Sequence, residues 1–242
     1  MQVVITMAGL GSRFRKAGYD MPKYEITVHD RSLFAWSMES LKGYYAPEND
    51  YFFIVRKEDE ARDFILSEWE KCGGDRAKAH VIELDAPTDG QATTAMLAKE
   101  FWKKDDELLI YNIDTYVEAG QMKSEDIIGD GFIPCFCAPG DHWSFVALGK
   151  DGNATEVREK QRISDNCTLG AYYFSSCGLY EKMYDEYYAD GGNMEKGEKY
   201  VAPLYNYMIS KGMKVRICLV DGKCVHVLGT PEELEVFAKE NI

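Results

Sequence analysis

The sequence predicts an α/β domain built on a mixed, mostly parallel sheet with helices on both faces. Three observations lead there. Strand-like apolar runs alternate with helix-like runs through the first half of the chain. A length of 242 residues is enough to bury a substantial core and short enough for one domain. No linker, repeat or low-complexity stretch divides the chain, so residues 1–242 read as a single domain with halves 1–130 and 131–242.

The elements follow in order. Residues 2–7 read as a buried strand, followed by a glycine-rich loop as far as Pro22. Residues 32–41 read as a helix capped by Ser32, and 51–56 as a strand. Residues 58–71 form an amphipathic helix pattern ending at Gly73-Gly74. Strands are expected at 79–84 and 107–111, with a helix at 91–101 between them. Four strand–helix units of this kind imply a parallel sheet covered on both sides, with ligands bound beyond the carboxyl ends of its strands. The second half predicts strands at 132–137, 143–148, 155–159 and 169–174, and helices at 176–188 and 200–211. Residues 214–219 and 224–228 read as a closing pair of strands. Thr230-Pro231-Glu232-Glu233 then opens a last helix, with Thr230 as cap, Pro231 in the first position and Glu233 completing a capping box.

Composition narrows the function. The net charge is −13, which argues against a general nucleic-acid or anionic-membrane binder. No apolar run approaches the roughly eighteen residues of a membrane span, and the start lacks the basic lead of a signal peptide. Seven cysteines with no Cys-x-x-Cys pair fit neither a zinc ribbon nor a disulfide framework. Reduced, mostly buried thiols in a cytoplasmic protein are expected. Against this acidic background stands one basic cluster, Arg13, Arg15, Lys16 and Lys23. It is either a solvated loop or the site of a small, highly anionic ligand.

The cluster adjoins Ala8-Gly9-Leu10-Gly11-Ser12-Arg13, directly after the first strand. A P-loop would need a Lys-Ser/Thr pair after its second glycine, and a dinucleotide fingerprint a glycine where Phe14 stands. Both readings fail. What remains is a small-residue turn whose amides can close around phosphate oxygens, with Arg13 as a bidentate grip and Lys23 as a second positive charge. A plain tight turn in a strand–helix crossover is the alternative.

Gly9-x-Gly11-Ser12-Arg13 followed by Pro22-Lys23 resembles the signature of the sugar-phosphate nucleotidyltransferases, or nucleotide-sugar pyrophosphorylases. Other stretches agree in order. Asp89-Gly90-Gln91-Ala92 resembles the base-contacting segment, and Leu109–Asp114 the strand ending in the metal aspartate. Val157-Arg158-Glu159-Lys160 resembles the sugar-phosphate motif, Gly170–Phe174 the strand after it, and Gly229–Leu234 the Gly-Thr-Pro-Glu-Asp-Leu element. Gly18-Tyr19, Trp143–Phe145, Ile163–Asp165 and Tyr200–Asn206 resemble a branch met with capsule and surface-polysaccharide genes.

The resemblance implies a Rossmann-like nucleotidyltransferase domain, with a nucleotide-binding half at 1–130 and an acceptor-binding half at 131–242. It implies attack by the phosphate of a small-molecule acceptor on the α-phosphorus of a nucleoside triphosphate, with loss of pyrophosphate. Ala8, Gly9, Gly11, Ser12, Gly90 and Gln91 would bind the nucleotide. Arg13 would hold the β- and γ-phosphates and Lys23 would face the α-phosphate. Asp114 would bind Mg²⁺, Lys160 the acceptor phosphate, and Glu159, with Trp143 and Tyr172, the acceptor body. Each has a structural alternative: an Asx turn for Asp114, an exposed charge pair for Glu159–Lys160, core packing for the aromatics.

Inside the loop, Lys16 and Gly18 replace a Pro and a Thr often found in the family, and two further positions depart from it. A second metal aspartate is often found where Val227 stands, and Val cannot bind Mg²⁺. Asp221 is the substitute considered, though Asp221-Gly222 also reads as a turn. A glutamine that reads the pyrimidine is often found where Asp85 stands. A carboxylate only accepts hydrogen bonds and cytosine's N4 amine donates, which tilts the expectation from UTP or dTTP toward CTP; the alternative is that Asp85 caps the loop and never touches the base. Two other readings stay open. A glycosyltransferase of the related fold would use a nucleotide-sugar and expects Asp-x-Asp where Asn112-Ile113-Asp114 stands. A non-catalytic nucleotide-binding protein is motivated by Val227.

Overall fold

The computed structural model describes residues 1–240. β1 (Gln2–Thr6) leads through the glycine loop into the short α1 (Ser12–Lys16). A small hairpin of β2 (Thr27–Val28) and β3 (Arg31–Ser32) feeds α2 (Leu33–Glu39), whose cap Ser32 accepts the Ala35 amide at 3.1 Å. Then come β4 (Asp50–Arg56), α3 (Arg62–Lys71), β5 (Ala79–Leu84), α4 (Gln91–Met96) and β6 (Leu108–Asn112). β7 (Thr115–Val117), β8 (Gly131–Phe136), β9 (Ser144–Leu148), β10 (Ala154–Glu159), β11 (Cys167–Thr168) and β12 (Ala171–Phe174) follow. The chain continues through α5 (Cys177–Tyr187), α6 (Leu204–Ser210), β13 (Val215–Leu219), β14 (Val225–Val227) and α7 (Pro231–Phe237).

Ten strands form one sheet, in the order β10-β9-β11-β8-β12-β6-β1-β4-β5, with β13 alongside β8. The run β6-β1-β4-β5 is parallel throughout, and β12 joins β6 antiparallel. The chain steps outward from β1 to β4 and β5, then returns to the other side of β1 as β6. The switch point therefore lies between β1 and β6, where open α/β sheets bind ligands.

Two clusters cover the faces of the sheet. Val3, Ile5, Phe53 and Val55 point to one, and Val4, Phe52 and Ile54 to the other. That alternation along strands buried on both faces is why the sequence shows continuous apolar runs rather than a polar–apolar pattern. A third cluster seats α7: Leu234 and Phe237 pack with Phe14, Trp36, Tyr116 and Leu228.

Several expectations need correction. The two closing strands do not pair: β13 runs parallel to β8, and β14 pairs antiparallel with β7 in a separate ribbon. The strand expected at 169–174 begins only at Ala171, as β12, because Gly170 turns left-handed at φ +75°; Cys167–Thr168 before it form the separate β11. The helix expected over 58–71 starts only at Arg62, because Glu60 adopts φ +48° after a 3₁₀ turn. Cys135, Cys167 and Cys177 are buried, but Cys137 is exposed, and all seven cysteines are free thiols. No described helix is long and apolar enough to cross a membrane.

Candidate active site

A cleft of about 670 Å³ opens at the carboxyl ends of β1 and β6. Its first wall is the loop after β1, from Ala8 through Arg13. Gly11 holds φ +59°, a left-handed turn after which α1 begins at once, so its first residues, Ser12 and Arg13, line the opening. Arg13 is exposed at the mouth of the cleft.

Lys23 lies in a 3₁₀ turn after Pro22. Its neighbour Tyr24 is buried and donates to Asp59 at 3.2 Å, so the lysine hangs from a fixed turn. Lys23 Nζ lies 2.8 Å from Asp114 Oδ2, joining two residues that the sequence separates by 91 positions. The segment carrying Asp114 is tied down at consecutive carbonyls. Ser37 donates to Ile113 O at 2.9 Å, the Leu228 amide to Asp114 O at 2.8 Å, and Tyr111 to Thr115 O at 2.7 Å. Burial raises the Asp114 carboxyl. The Lys23 charge and hydrogen bond, helped by Arg13, outweigh that and hold it below the usual aspartate range.

The second wall follows β5. Pro87, Thr88, Gly90, Gln91 and Thr94 line it. Gln91 Nε2 donates to Thr6 at 3.2 Å and also to Asn112, so this side chain braces the floor across β1 and β6. Asp85 is not in the lining. It is 83% exposed and paired with Lys57 at 2.8 Å, which holds its carboxyl below the ordinary range. The carboxylate expected to read the base, just past the end of β5 at Leu84, is engaged by Lys57 instead of lining the cleft.

Residues of the second half close the cleft. Glu159 hydrogen-bonds Ser144, and Trp143 donates to the Pro139 carbonyl at 3.0 Å; both line the opening. Tyr172 is buried in the floor beside Thr168, its hydroxyl pushed up to about 12 by burial foremost and by Glu159. Lys160 is off the lining. Its backbone turns left-handed (φ +52°), and its ammonium rests on Tyr200, 3.0 Å from the hydroxyl. Glu198 and Tyr200 line the wall instead, although neither was singled out from the sequence as a site residue. They are brought in by a clasp between the two walls: Lys199 pairs with Asp89 at 2.9 Å and its amide donates to Asp89 O at 2.7 Å.

Asp221 is likewise outside the lining. It caps a short turn, accepting the Lys223 amide at 3.0 Å, so the turn reading accounts for it. Val227 faces the cleft, while His226, one residue earlier, turns the other way and stacks on Tyr116 at 5.0 Å. For a divalent cation the donors are hard oxygens, which suits Mg²⁺. A Cβ on Gly229 would stand 3.6 Å from Asp114 Oδ2, so the glycine leaves room beside that carboxylate. No group of three or more His, Cys, Asp or Glu gathers among the described residues, so ligand phosphates and water would complete the coordination shell.

The crystal structure of the nucleoside-diphosphate-sugar pyrophosphorylase from Vibrio cholerae RC9 superimposes with a TM-score of 0.89 at 33% identity, over 99% of this chain and 100% of that one. The chain belongs to this family, the sugar-phosphate nucleotidyltransferases. More distant members of the fold include the inositol-1-phosphate CTP transferase from T. maritima, with a TM-score of 0.77 at 14% identity over 100% of this chain and 97% of that one. The CTP:phosphocholine cytidylyltransferase from Streptococcus pneumoniae gives a TM-score of 0.72 at 20% identity, over 98% of this chain and 97% of that one. No family model matches this nucleotidyltransferase, and no curated protein does either.

Proposed function

We propose that the protein joins a pyrimidine nucleoside triphosphate to a phosphorylated small molecule such as a sugar 1-phosphate, releasing pyrophosphate and using Mg²⁺. The observation that carries this reading is the meeting of Arg13, Lys23 and Asp114 at the mouth of the glycine loop, with Lys23 2.8 Å from Asp114. A nucleotide-sugar donor has less need of two cations there. A triphosphate gives them its charge to neutralise.

The acceptor's phosphate is already an anion, so no strong general base is required, and positioning and charge neutralisation carry the reaction. Arg13 and the loop amides hold the leaving pyrophosphate. Lys23 faces the α-phosphate, where attacking and leaving oxygens crowd negative charge. Asp114 would hold Mg²⁺, which when bound neutralises phosphate oxygens without a proton. Glu159 and Ser144 meet hydroxyl or amine groups of the acceptor body, with Trp143, Tyr172 and Tyr200 against its flat faces.

The Asp85 argument for CTP ahead of UTP and dTTP no longer supports that order. The T. maritima and S. pneumoniae proteins of this fold are named for CTP, but an equally similar one from Bacillus anthracis is named a glucose-1-phosphate thymidylyltransferase, so the fold does not order the nucleotides and the triphosphate panel decides. The branch resemblance adds a precursor of capsule or surface polysaccharide as the product. Thermal stabilisation by a panel of triphosphates, each with and without Mg²⁺, tests the donor. Selective, Mg²⁺-enhanced stabilisation by one pyrimidine triphosphate is expected, followed by pyrophosphate release with phosphorylated acceptors. Stabilisation by a nucleotide-sugar and by no triphosphate would overturn the reading in favour of glycosyl transfer.

A further inference from the structure

Glu233 is the third residue of α7, half-buried, and it lines the cleft. A glutamate at this place in a helix ordinarily turns back onto the cap residue's amide. Here only one half of that exchange is made. Thr230 accepts the Glu233 amide at 3.2 Å, while the Glu233 carboxylate takes no hydrogen bond or ion pair among the described residues. The helix is set by Leu234 and Phe237, buried against Trp36 and Tyr116, so the backbone of Glu233 is held beside the cleft without help from its carboxylate.

Gly229 shows where that carboxylate goes. A Cβ built there would lie 3.4 Å from Glu233 Oε2 and 3.6 Å from Asp114 Oδ2. Both carboxylates therefore close on the space that the glycine leaves open. Val227, in the same wall, offers no oxygen. We propose that Glu233 is the second carboxylate ligand of the divalent cation, reaching from α7 into the place that an aspartate at 227 would serve. The proposal rests on the nucleotidyl-transfer reading. Two carboxylates facing one gap repel each other, and Lys23 offsets only one of them. A hard cation between them satisfies both, and phosphate oxygens complete its shell.

The test is Mn²⁺ binding followed by electron paramagnetic resonance, with no turnover involved. Glu233→Gln keeps the capping amide and is expected to weaken Mn²⁺ binding about tenfold or more, with an unchanged thermal midpoint. Gly229→Ala, which puts a methyl into the gap, is expected to weaken it as well. Val227→Asp added to Glu233→Gln is expected to restore binding, which a merely structural glutamate would not permit. Wild-type affinity in Glu233→Gln, with Asp114→Asn impaired, would overturn the proposal and leave nucleotidyl transfer standing. A wild-type protein that binds no Mn²⁺ in the presence of any nucleoside triphosphate would overturn both.

Discussion

The wall of the cleft built from residues 6–23 carries Arg13, Lys23 and a run of small residues whose backbone is its working surface. The wall from residues 142–200 carries Glu159 and Glu198 with Trp143, Tyr172 and Tyr200, and no lysine or arginine in its lining. One wall is shaped for charge and the other for polar edges and flat faces. The difference teaches where selectivity resides. Phosphate is alike in every substrate, so a backbone turn and two cations suffice for it. The acceptor body varies, and only side chains can follow it.

This contrast can be broken in order of effect. Arg13→Ala or Lys23→Met is expected to cut kcat by about a hundred- to a thousandfold, the scale of losing one transition-state charge partner, with folding intact. Activity within a few-fold of wild type in a pyrophosphate-release assay would misplace the phosphate site. Asp114→Asn is expected to remove the Mg²⁺ dependence together with most of the activity, and an unchanged Mg²⁺ titration would move the metal elsewhere. Glu159→Gln sharpens the other side. It is expected to raise KM for the acceptor by about tenfold, one charged hydrogen bond, while leaving KM for the triphosphate alone. Asp85→Ala is the smallest, within about twofold for every nucleotide, since an exposed ion pair contributes little.

A pH titration sharpens the same comparison. Lys23 holds the Asp114 carboxyl below its ordinary value, so the stability from this pair is complete above the unfolded aspartate value of about 3.9. It is lost as pH falls through the lower folded value. Lys23→Met leaves burial less opposed, and the Asp114 carboxyl is expected to titrate at higher pH by NMR.

The parallel half of the fold was legible because β1, β4 and β6 are near-continuous buried runs and α3 stops before Gly73-Gly74. The glycine loop and Asp114 were legible because they follow strand ends, and Lys23 because of its spacing from Arg13 after Pro22. Asp85 and Lys160 lie outside the lining, and spacing could not show it: it tells how far a residue lies along a strand, not which way the chain turns after it. The left-handed backbone at Lys160 and the Lys57–Asp85 pair are tertiary facts. Glu198 and Tyr200 sit in an irregular stretch held by the Lys199–Asp89 clasp, and nothing periodic marks them. Glu233 was seen, but as half of a cap. Local pattern accounts for its amide, and only the fold shows where its carboxylate goes.

Asp114 precedes β7, a strand of three residues that the main sheet does not hold. Its partner is β14, with Thr115 opposite Val227, so the chain must close a loop of roughly half its length before this corner is fixed. Contacts of such long sequence separation are costly to form early in folding. The glycine loop and its strand neighbours can therefore be native while the carboxylate corner is still open. On refolding, recovery of helical signal should run ahead of recovery of divalent-ion binding, and the interval between them times the docking of one three-residue ribbon.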